Sequence, residues 1–430
     1  MRLNKIPLAC LTLCASALMV ACGGSSSSPP VTTQQTQRPT MQGAIVNSYV
    51  AKAVVTLDFN DDGVCGADEP KVVSGNKGEY AFPGLGDHAV CSSGGINIAT
   101  GLPFVGELKG PKGGGAITPL TTLVVAQLGA NPTAAQITAA KSQIETQLNL
   151  PAGSIGLDPV AAIATNPKLE QTNAAIQVML QSITNSVIAL AGVGSSSVTP
   201  AMQSQVFADA AKAMVSTLTA PGAPKVDVTS AASSDGTNNF VSASVSQTVV
   251  NAKAAATSAL KTAAPALTNL SPTNAAAFVT SNISTLVQST AQATPTAAGI
   301  AAAQAASQSS TTLVNAIQTI AAAVPTLFST SNTAGTAQVS ALAAILSPST
   351  SVVASSPVIV TNTAALSTAL DAATSPNITV SLATVTAVLV DAVDSPPAPP
   401  VVLSVTSFVT PVVAPLPPPI VDTVTITGST

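Results

Sequence analysis

The sequence predicts an α+β chain of several domains: a small β-sandwich, an alanine-rich helical region and a low-complexity tail. Residues 41–115 contain short segments rich in β-branched and aromatic side chains, separated by Gly, Asn, Asp and Pro. Residues 116–346 are rich in alanine, with polar residues directly before prolines and apolar residues repeated every three or four positions. Residues 347–430 lose both patterns and are rich in Pro, Val and Thr.

The first of these regions is predicted to contain short strands. Their expected positions are 44–50, 53–59, 71–74, 79–82, 96–99 and 104–109. Asn76-Lys77-Gly78 lies between the third and the fourth and is predicted to form a hairpin turn. So many short strands in so small a region favour a sandwich.

Polar residues directly before prolines predict where the helices begin. The pairs are Thr118-Pro119, Asn131-Pro132, Asp158-Pro159, Thr199-Pro200, Ser271-Pro272 and Thr294-Pro295. The polar side chain suits the N-cap and the proline suits the first helical position. Segment 117–128 is accordingly predicted to be a capped helix that packs Leu120, Leu123 and Val124 onto its neighbours.

Two apolar stripes at helical spacing indicate amphipathic helices. Their members are Ile176, Leu180, Ile183, Val187 and Leu190 in the first, and Leu313, Ile317, Ile320 and Val324 in the second. Spacings of three and four residues put each set on one helix face. Packing within a helical bundle is the favoured interpretation, and a coiled coil with a partner is the alternative.

Charge is sparse and uneven along the chain. The sequence has 14 Lys and Arg residues against 18 Asp and Glu, a formal net charge of -4, and no basic residue after Lys261. A nearly neutral chain can neutralise few phosphates, so we expect no nucleic-acid partner. Uncharged, β-prone stretches such as 378–390 favour pairing with other chains, which leaves a self-assembling surface fibre as one alternative function.

The N-terminus has the organisation of a targeting segment. Arg2 and Lys5 precede an apolar run at 6–20, and Ala21-Cys22 follows it. This order resembles a bacterial lipoprotein signal peptide, although Met19 stands where that family usually has Leu. The resemblance implies a cleaved signal peptide at 1–21 and lipid on Cys22.

The residues after Cys22 are Gly, Ser, Pro, Thr and Gln, so 22–40 is predicted to be the lipidated cysteine followed by a flexible tether. Gly23 carries no acidic retention signal of the kind that the lipoprotein family uses. The resemblance therefore implies an outer-membrane lipoprotein, facing the periplasm or the cell surface, whose membrane contact is the lipid.

Cysteine usage agrees with an oxidising compartment. Once the signal peptide is removed and Cys22 is lipidated, Cys65 and Cys91 remain. Two thiols in such a compartment favour a disulfide, here on neighbouring strands with α-carbons within about 7 Å. A zinc site is the alternative, but two cysteines and one histidine make a poor ligand set.

One twelve-residue segment carries a metal-binding pattern. Residues 58–69 read DFNDDGVCGADE and match D-x-N-x-D-G-x5-E at each specified position. Calcium prefers oxygen ligands. In such a loop, the side chains at every second position and one backbone carbonyl supply them. The predicted ligands are Asp58, Asn60, Asp62, the Val64 carbonyl and Glu69, with Gly63 at the turn and Asp68 as a nearby acid. An acidic turn without a metal is the alternative.

The flanks of this loop differ from those of a helix-loop-helix calcium sensor. A predicted strand enters the loop, and Pro70 follows Glu69 where a second helix would begin. Residues 42–110 resemble the β-sandwich modules of the carboxypeptidase-regulatory-like class and the B repeats of bacterial surface adhesins. That resemblance implies a calcium-loop β-sandwich in which calcium has a structural role.

Few residues suit catalysis. His88 is the only histidine, and the sequence lacks a G-x-S-x-G elbow, a phosphate loop and an HExxH motif. The expected function is therefore a non-enzymatic cell-envelope lipoprotein whose helical region contacts a protein partner or a second copy. The alternatives are an extracellular polymer hydrolase with His88 as its base, and the surface fibre.

Overall fold

The structure is a computed structural model that describes residues 40–191, 198–230, 234–258 and 265–308, with 317, 328–330 and 339. The predicted signal peptide, Cys22, the tether before Thr40 and the tail at 347–430 lie outside these residues. The described chain is α+β, as the sequence predicts. Within these ranges, no helix combines the length and apolar composition that a membrane crossing requires.

The strands form three small sheets. Their orders are β5-β1-β9, β2-β7 and β4-β3-β6-β8. The bounds are β1 Met41–Ile45, β2 Val50–Ala51, β3 Val54–Asp58, β4 Lys71–Val73, β5 Glu79–Phe82, β6 Ala89–Ser93, β7 Ile96–Asn97, β8 Glu107–Gly110 and β9 Gly115–Ile117.

The strands differ from the sequence prediction in two respects: where one of them ends, and which of them pair. The predicted strand 44–50 is interrupted by a turn at 46–49, where Ser48 and Tyr49 both have left-handed backbone, φ 55° and 59°. The predicted hairpin at 76–78 is wrong, because β4 pairs with β3 while β5 pairs with β1. A turn sequence specifies a reversal of the chain, but it does not specify which strands then pair.

Seven α-helices are assigned in the described ranges. They are α1 Pro119–Gln127, α2 Ala134–Gln147, α3 Pro167–Leu190, α4 Pro200–Thr219, α5 Ser234–Ser258, α6 Pro272–Ala291 and α7 Ala297–Gln308. A short 3-10 helix, Pro265–Asn269, precedes α6.

Half of the predicted helix starts are confirmed. Thr118, Thr199 and Ser271 each accept a hydrogen bond from the third backbone amide of α1, α4 and α6. The other three pairs begin no helix: α2, for example, starts one residue after Thr133, its actual cap. Asp158 caps a turn, accepting from the amides of residues 160 and 161. Proline's restricted φ suits turns as well as first helical positions, so the pair alone is ambiguous.

Strands and helices share one hydrophobic core. The predicted α3 stripe from Ile176 to Leu190 is buried, as are Leu120, Leu123 and Val124 of α1. Helix α1 contacts β8, β9, α3 and α4, and so joins the sheets to the helices. Of the second predicted stripe only Ile317 is described, and it is buried.

Candidate metal centre

The acidic loop begins where β3 ends. Asp58 is the last residue of β3 and only 2% exposed, and both of its carboxylate oxygens point into the loop. Oδ1 accepts the Asp62 amide at 3.1 Å and Oδ2 accepts the Gly63 amide at 2.9 Å. Gly63 has φ +84°, a left-handed conformation in which glycine avoids steric cost. The strand end and this glycine therefore set the turn.

Two further predicted ligands fold over the same turn. Asn60 Oδ1 accepts the Asp62 amide at 3.0 Å, so Asn60 and Asp58 share one donor. Asp62 Oδ1 accepts the Val64 amide at 2.7 Å, and its Oδ2 accepts from Asn60 Nδ2 at 3.0 Å. The side chains of residues 58, 60 and 62 are thus brought together by the backbone of one short turn.

Glu69 closes the loop from its far end. Its Oε1 accepts the Phe59 amide at 2.9 Å and its Oε2 accepts the Gly66 amide at 2.6 Å. Both carboxylate oxygens therefore already bind backbone donors. For Glu69 to bind a metal directly, its oxygens would have to bind the metal in addition to these amides or in place of them.

A disulfide and hydrogen bonds from a lysine hold the second half of the loop. Cys65 and Cys91 are joined as a disulfide, with α-carbons 6.1 Å apart. Cys91 is in β6, but Cys65 lies in the loop and not on a neighbouring strand as expected. Lys71 Nζ donates to the carbonyls of residues 66, 67 and 69 at 2.9, 2.5 and 3.3 Å. Val64 is 62% exposed. Its side chain has no ligand atom, so its backbone carbonyl is the group that serves the predicted role.

Asp58 and Asp61 experience opposite electrostatic environments. Burial raises the pKa of Asp58, and the neighbouring charges of Glu69 and Asp62 raise it further, against hydrogen bonds from the loop amides. Burial also raises the pKa of Asp61, but hydrogen bonds from Lys112 and His88 outweigh it and leave the value lowered. The turn of the loop therefore contains a desolvated carboxylate that makes no ion pair with a described residue, beside Asp61, which is paired with Lys112 and His88.

The donor set fits a hard cation in chemistry but is not assembled as a complete cage. Among the described residues, no three His, Cys, Asp or Glu side chains form a group that could hold a metal. Asp58 and Asp62 supply two carboxylates, Asn60 supplies an amide oxygen, and Glu69 stays on backbone amides. All of these donors are oxygens, which is what calcium prefers.

His88 takes part in the loop as a support. Its Nδ1 lies 3.1 Å from Asp61 Oδ1, and Lys112 Nζ lies 2.9 Å from Asp61 Oδ2. Its ring contacts the Phe59 ring in a tilted arrangement, with centroids 5.0 Å apart and an interplanar angle of 39°. Within the part of the chain that the structure describes, no hydrogen bond is seen between His88 and a hydroxyl or thiol that could act as a nucleophile. The roles of Asp61 and Lys112 had no signal in the sequence, since the two residues meet only through the fold.

Comparison of the chain with protein-family models, curated proteins and solved structures found no match. The resemblances to a lipoprotein signal and to calcium-loop β-modules therefore stay predictions. Function is inferred below from the geometry of the loop and its surroundings.

Proposed function

We propose that this chain is a non-enzymatic cell-envelope lipoprotein whose acidic loop binds calcium in a structural role. Asp58, Asn60, Asp62, the Val64 carbonyl and Glu69 would hold the ion. The observation that carries the proposal is the convergence of the first three side chains over one turn. Calcium would supply the positive charge that these oxygens lack.

Electrostatics supports an ion at this position. Asp58 is almost fully buried at the end of β3, and the charges of Asp62 and Glu69 act on it. A carboxylate taken out of water beside other carboxylates is costly unless a cation neutralises it. Lys112 and His88 contact Asp61, which is not one of the predicted ligands. The charge on the predicted ligands is therefore left for a metal.

The surroundings of the loop favour a structural role over a sensing role. One end of the loop continues β3, and the disulfide ties its middle to β6, the neighbouring strand in the same sheet. A loop restrained at these points transmits little movement when an ion binds. Calcium would therefore stiffen the connection between β3 and β4.

Several finer features belong to the same proposal. The three sheets are taken as the parts of a small β-sandwich, and 41–115 and 116–346 as successive regions that share one hydrophobic core. Cys22 would carry the lipid that holds the protein at the outer membrane. The helical region would contact a protein partner or a second copy of the chain.

The decisive experiment is a thermal melt of the chain lacking residues 1–22, in millimolar calcium and in chelator. Extracellular calcium modules bind with dissociation constants near 10⁻⁴ to 10⁻³ M, so a titration to 100 times that constant must reach about 10 to 100 mM. Because calcium would bind the folded loop, saturation at about 100 times its dissociation constant should add roughly 2.7 kcal/mol to the unfolding free energy. Asp58→Asn and Asp62→Asn should abolish this increase.

Asp235→Asn is the matched control, because Asp235 lies in the first turn of α5, outside the loop. It should keep the full calcium response. An unchanged melting temperature of the wild-type chain in calcium and in chelator would show that the loop is an acidic turn. Glu69→Gln separates the two roles of Glu69: it should lower stability even in chelator, since one backbone acceptor is lost.

The hydrolase alternative depends on the contact between His88 and Asp61, which orients the imidazole as a base would be oriented. Its test is the activity of the purified chain on esters, peptides and glycans. A hydrolysis that disappears in His88→Ala would overturn the non-enzymatic proposal. The fibre alternative predicts concentration-dependent filaments in electron micrographs, whereas a monodisperse monomer contradicts it.

A further inference from the structure

A second polar cluster lies inside the protein, far along the chain from the acidic loop. It forms where the 46–49 turn, α3 and α7 meet, and it centres on Glu170, which is 1% exposed. Ser48 Oγ lies 3.3 Å from Glu170 Oε1 and 3.0 Å from Gln304 Oε1. Asn173 Nδ2 donates to Glu170 Oε2 at 3.3 Å, and Gln304 Nε2 donates to Asn47 Oδ1 at 2.9 Å. The turn and α3 thus direct polar groups at one carboxyl, and α7 joins the cluster through Ser48 and Asn47.

This buried carboxyl has no cationic side chain beside it. The ion pairs recorded among the described residues do not include Glu170. Burial raises its pKa to about 8, against hydrogen bonds from Asn173 and Ser48. The charge of Asp158 also raises the pKa of Glu170, and Asp158 itself accepts a hydrogen bond from Tyr49 at 2.8 Å. A buried carboxylate without a counter-charge is costly, and proteins ordinarily pair such groups or use them to bind metals.

Residues of the turn and of α3 also carry buried polar atoms without a partner among the described residues. Within the described ranges, Asn173 Oδ1 and Asn47 Nδ2 have no hydrogen-bond partner, and both residues are 0% exposed. The unpartnered oxygen of Asn173 belongs to the same amide group whose Nδ2 donates to Glu170. Gln177, one helical turn beyond Asn173, is also fully buried with both amide atoms unpartnered. Native interiors seldom leave such groups unsatisfied without a water or an ion.

The backbone of the adjoining turn is also unusual. Ser48 and Tyr49 are consecutive non-glycine residues with positive φ. Each such residue is strained, and strain of this kind clusters at functional sites. In this conformation Ser48 directs its hydroxyl at Glu170 and Gln304. The Val46 carbonyl meanwhile lies 3.4 Å from Asn173 Nδ2.

We infer that this cluster is a binding site for a monovalent alkali cation, with Glu170 as its only charged ligand. The neutral oxygens of Ser48, Asn173 and Gln304 would complete the coordination. One positive charge balances the single carboxylate, whereas a divalent ion would leave net charge buried in the core. Oxygen donors without sulfur or imidazole suit a hard cation. The bound cation would tie α7 and the 46–49 turn to α3.

The test compares thermal melts in sodium, potassium and tetramethylammonium chloride at equal ionic strength, at pH 9 and with chelator present. The high pH limits competition from protons, and the chelator keeps the acidic loop free of calcium. Sodium or potassium should raise the melting temperature of the wild-type chain by about 3 °C or more in a saturable manner. Tetramethylammonium is too large for a buried site and should not.

Glu170→Gln removes the charge while keeping the shape, so it should melt at the same temperature in all three salts. Glu145→Gln is the matched control, because Glu145 is another buried carboxylate, 4% exposed, that accepts the backbone amides of Gly153 and Ile155. It should keep the cation response. Asp58→Asn should keep it as well, which separates this site from the calcium loop.

Equal melting temperatures of the wild-type chain in the three salts would overturn the inference. A response that persists in Glu170→Gln would overturn it as well, by placing the cation elsewhere. If Glu170→Gln does not fold, broadening of the sodium-23 resonance by the wild-type chain, reversed by potassium, provides the second measurement. Its absence would contradict the site.

Discussion

At the scale of single residues, partners distant in sequence set the charge state of acidic groups. Asp227 accepts hydrogen bonds from Lys168 Nζ at 2.7 Å and from Asn149 Nδ2 at 2.8 Å. Burial raises the pKa of its carboxyl, but hydrogen bonds from Lys168, Thr229 and Asn149 outweigh burial and lower it to about 2. Asp227 thereby ties the start of α3 to the segments that follow α2 and α4.

Asp227→Asn should therefore lower the unfolding free energy at neutral pH. A depressed carboxyl pKa contributes stability above its unfolded value of 3.8, and that stability is lost as pH falls toward about 2. After solvent screening we expect a loss of about 1 to 2 kcal/mol at pH 7 and almost none at pH 2. Urea unfolding of both chains across this pH range measures it.

Asp68→Asn is the control for that prediction. Asp68 is exposed, and no hydrogen bond or ion pair involving its side chain is recorded in the described part of the chain. Its variant should unfold like the wild type at each pH when calcium is absent. If the loss of unfolding free energy in Asp227→Asn stayed constant down to pH 2, the effect would come from packing and not from charge.

At the scale of elements, β1 holds the three-stranded sheet together. It pairs antiparallel with β5 and parallel with β9, so it is the central strand. Gly43 lies opposite Tyr80 on one side and Gly115 on the other. A Cβ at this position would overlap the Gly115 carbonyl oxygen and lie 2.7 Å from the Tyr80 hydroxyl. Glycine is needed here for close approach of the strands.

Gly43→Ala should destabilise the protein by about 3 kcal/mol, because the added methyl group separates β1 from β9. Chemical denaturation measures the loss, and faster hydrogen exchange at the Ala44–Ala116 and Ile45–Ile117 pairs would locate it. Gly129→Ala is the control, since nothing lies within 4 Å of a Cβ at that position. Equal stability of Gly43→Ala and the wild type would show that the strands move apart without cost.

At the scale of the whole molecule, the sheets and the helices share hydrophobic contacts. Leu57 and Leu108 from the strands belong to the same buried cluster as Leu120 and Ile176 from the helices. Helix α1 contacts both β8 and α4, so it lies between the two regions. Separation of the regions would expose apolar surface on each of them.

We therefore expect the strands and the helices to unfold in a single calorimetric transition, although they were predicted as separate domains. Hydrophobic burial across α1 couples the two regions, since neither can lose its packing without exposing the other. Differential scanning calorimetry of the chain lacking residues 1–22 checks this. Two transitions, with only one of them moved by Leu123→Ala, would establish separate domains.

The sequence alone determined the features that depend on neighbours within a few residues. The α3 stripe follows from helical periodicity, and the caps at Thr118 and Thr199 need only the backbone three positions ahead. The turn at Asp58 to Asp62 is likewise local, because its side chains bind amides of the same segment. The α+β class follows from adding such local patterns along the chain.

Only the tertiary structure decided the features that join distant segments. It pairs β4 with β3 and β5 with β1, and it brings Lys112 and His88 to Asp61. It also buries Glu170 between the 46–49 turn and α7. A local pattern specifies the direction and exposure of a side chain but not its partner. The partner depends on which surfaces meet when the apolar area of the entire chain is buried together.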